Sequence, residues 1–270
     1  MEWTPIQIAL TALIGLTGGT LGGLLGLGGS VFIIPTITLL LGPNYHLYQS
    51  AALIANVFVA SAATRKHRGR GTIRRDVVPV MAATAAVTAL LGVLTSNVIE
   101  ATWLYIVFGT FLCYASTSEI VGLIRKKADA PELPVGATRW RLGIAAGAIG
   151  GFLSGLLGIG GGAIMVPILR KFGKIPLRQS VACSACAMIA ACLIGAIAKN
   201  ASLARLEQDG ATTASLSDSL WLAAILSPSA MVGGTIGAAL VYRVPTTVVR
   251  SILSLLLAYV GIRMVLTGLS

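Results

Sequence analysis

The side chains that could carry chemistry in this sequence are few, and they are badly placed for enzymatic work. A chain of 270 residues holds two histidines, His46 and His67, and four cysteines, Cys113, Cys183, Cys186 and Cys192. Both histidines lie at or beyond the ends of apolar runs, and no Ser/His, His/Glu/His or Asp/Asp constellation falls inside one. Cys183 and Cys186 have CxxC spacing, but thiols in an apolar run without a redox partner behave as small packing groups. No enzyme activity, metal ion or cofactor is expected. Neutral polar groups remain: Gln49, Ser50 and Asn56 in the first half, and Gln179, Ser180 and Ser184 in the second. Such groups can donate hydrogen bonds to an oxyanion without adding fixed charge, or they can join neighbouring membrane helices.

Glycine is the other unusual resource. Residues 21–35 read LGGLLGLGGSVFIIP and residues 153–167 read LSGLLGIGGGAIMVP. Aligned at an offset of 132, ten of the eighteen positions from Gly18–Pro35 and Gly150–Pro167 are identical. A second echo, Leu47-Tyr48-Gln49-Ser50 against Leu177-Arg178-Gln179-Ser180, follows at an offset of 130, which pairs Asn56 with Cys186. Glycine permits positive φ and close backbone approach, as a tight turn between two short helices requires. The residues after each knot would open a helix whose free N–H groups and dipole favour an anion. Gly28, Gly29 and Ser30, with Gly160, Gly161 and Gly162, are therefore expected to line one central site. The earlier glycines, such as Gly19/Gly23 and Gly151/Gly155, have the small-xxx-small spacing that lets membrane helices touch. A dinucleotide-binding reading fails, because no strand precedes the glycines.

Composition identifies the solvent around these elements. The chain is 56% hydrophobic and 11% charged, with a mean hydropathy of +0.87, whereas soluble domains carry roughly 25% charged residues. Several apolar runs approach or exceed the ~20 residues that span a bilayer core. The expected fold is an all-α polytopic membrane protein. Each half begins with an apolar helix (5–26 and 141–158) that runs into a glycine knot. A short arm follows (30–41 and 162–172), and then three spans: 46–64, 76–95 and 102–124, or 177–198, 219–241 and 245–268. Arms of this length cannot cross a bilayer, so each knot is expected to be the tip of a re-entrant hairpin. The units are then a first membrane repeat, 1–124, a polar cytoplasmic linker, 125–139, and a second repeat, 140–270.

Charge sets the orientation. Seventeen of the twenty Lys and Arg residues cluster at 65–75, 125–141 and 170–178 or at Arg243 and Arg250. If both hairpins return to their starting side, all seventeen fall on the cytoplasmic face, as the positive-inside rule asks. Each half then crosses three times, so the two repeats are inverted, and both termini are periplasmic. The net charge of +11 belongs to these loops, and nucleic acid is not an expected partner. The first apolar run lacks the basic leader of a signal peptide, having only Glu2 before it. Glu119 and Arg263 are the charges deepest in the spans, and both are near enough to an end to snorkel. Trp3, Trp103, Trp140 and Trp221 sit at span ends as interfacial anchors.

The doubled phrase GGLLGLGG…P and SGLLGIGGG…P, with QS opening the next span and Lys66-His67-Arg68-Gly69-Arg70-Gly71 closing it, resembles the TauE/SafE family of sulfite and organosulfonate exporters. The resemblance covers nearly the whole chain. It implies a carrier in the bacterial inner membrane for a small sulfur-containing anion such as sulfite, thiosulfate, sulfoacetate or a related organosulfonate. Partners would be that anion and the lipid bilayer, with a homodimer allowed. One departure stands out: where such proteins commonly show Thr-Ser, this chain has Ile54-Ala55-Asn56, and the second half keeps only Ser184. If those hydroxyls choose the substrate, the substrate of this chain differs.

Direction follows from the membrane potential. With the cell interior negative, each negative charge leaving gains about 2.3 kcal/mol per 100 mV. Anion export therefore needs no coupling ion. Uptake of a different small anion, or a membrane assembly factor without transport, are the alternatives.

Overall fold

A computed structural model describes residues 4–124, 140–208, 215–243 and 246–269. Among these residues the chain forms ten α-helices and no strand. The first half contributes α1 (Pro5–Leu25), α2 (Ser30–Leu41), α3 (Tyr45–Arg68), α4 (Val78–Val98) and α5 (Ala101–Ile124). The second contributes α6 (Trp140–Leu157), α7 (Gly162–Lys171), α8 (Leu177–Gln208), α9 (Leu216–Leu240) and α10 (Thr246–Leu269). Seven helices, α1, α3, α4, α5, α6, α8 and α9, are long and apolar enough to cross a membrane. Large apolar side chains face outward along them, among them Val87 at 64%, Leu94 at 53% and Val232 at 55% exposure. In water such a surface would aggregate, and in lipid it is solvated. Trp103, Trp140 and Trp221 are exposed at helix ends, as anchors require.

Local signals account for several helix starts. Thr4 and Gln7 form a capping box before α1, each side chain accepting from the other's backbone N–H. Ser215 and Asp218 do the same before α9. Proline does not end the arms, since Pro35 and Pro167 lie inside α2 and α7.

The arms turn back. An added Cβ at Gly22 would strike Gly28 and Gly29, and one at Gly18 would strike Ile33, so α2 runs antiparallel along α1. The same pattern recurs 132 residues on, where Gly150 meets Gly161 and Met165. The other faces of α1 and α6 reach across the chain. Gly19 and Gly23 touch Ala230 and Gly234 of α9, while Gly151 and Gly155 touch Ala85 and Ala89 of α4. Thus α1 packs on α9, α6 on α4, α3 on both α8 and α9, α8 on α4, and α5 on α10.

One expected boundary is wrong. The span placed at 177–198 continues ten residues further as α8, so Lys199 and Arg205 belong to a helix and not to a loop. Arg263 is exposed. The Glu119 side chain and the linker 125–139 lie outside the described residues.

Candidate functional site

The two glycine turns meet. A Cβ on Gly28 would lie 2.5 Å from the Ile159 carbonyl oxygen, and Gly162 abuts the Gly26 carbonyl, so the backbones of the tips are in direct contact. Gly28 has φ of 90° and Gly160 has φ of 79°, a region that disfavours any side chain. Ser184 of α8 donates to the Gly26 carbonyl at 3.1 Å. The first halves of α2 and α7 start from this point, so their positive ends converge on it.

Asn56 ties the tips together. Its Oδ1 accepts from the Ser30 backbone N–H at 3.3 Å, and its Nδ2 donates to Ser30 Oγ at 2.7 Å and to the Gly158 carbonyl at 3.3 Å. Asn56 is fully buried and lies at the middle of α3, about 16 Å along it at 1.5 Å per residue. Opposite stands Met188, whose Cε approaches the Cβ positions of both Gly28 and Gly160. In this conformation both amide protons of Asn56 are engaged by protein acceptors, so an anion could use them only by replacing Ser30 Oγ or the Gly158 carbonyl. No ionisable residue occurs in 26–30 or 158–162, and the site's polarity comes from dipoles alone.

Gln49 serves the second tip differently. Its Nε2 donates to the Gly155 and Leu156 carbonyls at 2.7 and 3.0 Å and to Ser96 Oγ at 3.2 Å, which caps the end of α6. Ser50 bonds to Ser219 Oγ at 2.8 Å, and Ser180 donates to the Ile175 carbonyl at 3.2 Å; neither joins the tips. Gln179 is half-buried, with Oε1 lacking a hydrogen-bond partner. Gly29 and Gly161 pack back against Gly18 and Gly150, behind the contact between the tips. The structure thus brings together Gly28, Ser30, Asn56, Gly160, Gly162 and Ser184.

Met188 was missed because the QS echo misleads. The offset of 130 pairs Asn56 with Cys186, but the contacts keep the offset of 132 found in the glycine phrase. Gly158 meets Gln49 where Gly26 meets Val181, and the counterpart of Asn56 is Met188. Following one offset throughout would have found it. Among the described residues no group of three or more His, Cys, Asp or Glu could hold a metal ion, and the Cys183 Sγ is a packing group that accepts from the Arg74 backbone N–H at 3.4 Å.

A helical bundle with apolar outer faces and seven helices long and apolar enough to span a bilayer, its polar groups gathered at glycine turns, defines a multi-pass membrane protein. The chain belongs to the family described as sulfite exporter TauE/SafE, whose model matches residues 11–264. It is 25% identical over 286 residues to "Probable membrane transporter protein YunE" of Bacillus subtilis, covering 98% of this chain and 99% of that protein. It is 24% identical over 290 residues to "Probable membrane transporter protein MamO" of Magnetospirillum gryphiswaldense, covering 94% of this chain but only 44% of MamO. A third relative, "Probable membrane transporter protein MJ0441" of Methanocaldococcus jannaschii, is 28% identical over 189 residues, 66% of this chain and 67% of that protein. No solved structure matches.

Proposed function

We propose that this transporter exports small sulfur-containing anions, such as sulfite, thiosulfate, sulfoacetate or a related organosulfonate, across the bacterial inner membrane. The anion is held at the bilayer midplane between the two glycine tips. The observation that carries this reading is the meeting of the α2 and α7 amino ends, bridged by Asn56, halfway along α3, the most deeply buried of the spanning helices. Two positive helix ends facing one point attract an anion without a fixed charge that would trap it. Because the tips touch, they must part for substrate, and Ser30, Asn56, Gly160 and Gly162 then turn their freed donors to it.

The helix partnerships support an inverted repeat of re-entrant hairpins. Exchanging the two halves turns the α1–α9 contact into α6–α4 and the α3–α9 contact into α8–α4. Such duplication is a common plan of carriers with a midplane site. With the basic loops inside, the termini are periplasmic. The family description supports the sulfur anion, and the membrane potential favours its exit.

A panel of sulfite, thiosulfate, sulfoacetate and taurine in proteoliposomes of clamped potential tests the reading. Flux of at least one sulfur anion, rising with negative potential on the loading side and falling at least tenfold in Asn56→Ala, is expected. Flux that demands a proton gradient and ignores potential would count against uncoupled export. Unchanged flux in both Ser30→Ala and Asn56→Ala would remove the proposed site.

A further inference from the structure

Among the described residues, a fully buried lysine stands apart from the tips. Lys199 of α8 is fully buried, and its Nζ donates to Asn97 Oδ1 at 2.7 Å, to His46 Nδ1 at 2.8 Å and to Ser96 Oγ at 3.1 Å. An ammonium has three protons and no acceptor, so all three go to neutral groups. With Lys199 carrying its proton, His46 presents a lone pair at Nδ1 and holds its own proton on Nε2. Among the described residues no carboxylate pairs with Lys199. A cation buried in a membrane protein without a counter-charge is costly, and such groups mark ion pathways.

The cluster is wired to the centre. Ser96 Oγ accepts from Gln49 Nε2, which also holds the last carbonyls of α6, just before the Gly158 carbonyl that binds Asn56. Gln49 Oε1 is buried beside this line, on the side of the His46 ring.

A counterpart stands at the opposite end. His67 Nδ1 lies 3.0 Å from Tyr242 Oη, and the Arg178 and Arg70 guanidinium carbons sit 5.3 and 4.4 Å from the Tyr242 ring centroid. Lys199 and Arg178 lie 132 residues beyond His67 and His46. Gly155 stands on Ala89 as Gly23 stands on Gly234, a shift of 145 between α4 and α9, and the same shift carries Asn97 onto Tyr242. Each cluster therefore joins repeat-related positions of α3 and α8 to a group at or just beyond the end of α4 or α9, and each contains basic side chains.

We infer that Lys199, with His46, Ser96 and Asn97, forms an oxyanion-binding subsite at the end of the α3–α8 pair remote from the basic loop at 65–75. It is a station on the substrate path between the glycine tips and the outer face. This rests on the anion-carrier reading above. An arriving sulfite or sulfonate oxygen displaces the neutral acceptors from the ammonium and gains a charge-assisted bond. The start of α3 and the end of α4, which Lys199 ties to α8, are thereby released, so occupancy of the subsite and opening at this end are coupled.

The test uses the full chain in proteoliposomes with sulfite, thiosulfate and sulfoacetate, plus melting in detergent with each anion. Asn97→Asp places a carboxylate against the ammonium and satisfies it internally. The expected result is a protein that melts no lower than wild type, with KM for the transported anion raised about tenfold or more. Lys199→Gln, which keeps hydrogen bonding without charge, should weaken anion affinity similarly, and Lys199→Arg should restore most of it. An Asn97→Asp protein with wild-type KM and wild-type anion-induced stabilisation overturns the subsite while leaving the carrier intact. A wild-type protein that neither moves nor is stabilised by any of the three anions overturns the carrier reading and the subsite with it.

Discussion

Met188 stands between two glycines that look interchangeable, but the two would not tolerate a methyl equally. A Cβ at Gly160 would meet chiefly the Met188 Cε at 2.7 Å, the far end of a flexible side chain, whereas a Cβ at Gly28 would meet the Ile159 carbonyl oxygen at 2.5 Å. Both variants carry the roughly 1–2 kcal/mol penalty of a side chain at positive φ. Gly28→Ala should therefore lower the melting temperature further than Gly160→Ala. Adding Met188→Ala should rescue Gly160→Ala in part and Gly28→Ala hardly at all; equal rescue of both would show that Met188 is not the obstacle. At this scale the sequence announces the glycines, because their spacing repeats, and it announces Asn56 as a polar group in an apolar run. It hides Met188, which is apolar among apolar neighbours. It hides Lys199 for another reason: a lysine followed by Asn200 looks like the wet end of a span. Only contacts with His46, Ser96 and Asn97, each about a hundred residues or more away in sequence, reveal the burial.

Among the helices, the glycine stripes have divided labour. On α1, Gly18 and Gly22 receive the returning arm, while Gly19 and Gly23 receive α9. On α6, Gly155 presses on the backbone of Ala89 in α4, so no side chain fits there without parting the helices. Gly155→Leu should cost several times the ~1–3 kcal/mol of ordinary overpacking and abolish a monodisperse peak in detergent. Gly69→Ala is the matched control: it has helical φ, and the nearest heavy atom to its Cβ is 3.7 Å away, so melting should be unchanged. The element pattern was legible because apolar runs and short arms have lengths that physics restricts. The far end of α8 was not, since its last turns pass from apolar to charged sequence without losing their hydrogen bonds.

For the whole molecule, the hairpins fix which loops share a side. If both return within the bilayer, Arg68 and Arg178 lie on one face and Glu100 on the other. In a background with Cys113, Cys183, Cys186 and Cys192 replaced, Arg68→Cys and Arg178→Cys should react with an impermeant maleimide only from the cytoplasmic side, and Glu100→Cys only from outside. Labelling of Arg68→Cys and Arg178→Cys from opposite sides would mean that the arms carry the chain across, and the inverted arrangement would be lost. Sequence charge pointed to this topology, but the interleaving of the halves was beyond it, because which glycine stripe meets which helix is decided by three-dimensional fit.

That interleaving has a consequence for how the molecule is made. The glycine face of α1 is covered by α9, which the ribosome delivers only after most of the chain has been synthesised. Until then α1 must wait in the bilayer with its narrow glycine groove open to lipid, and α4 waits likewise for α6. A fragment ending after α5 therefore has its own helices but not their proper neighbours, and is a natural target for membrane quality control. Supplied as two separate polypeptides in one cell, the halves should protect each other from proteolysis, each completing grooves that the other cannot close alone.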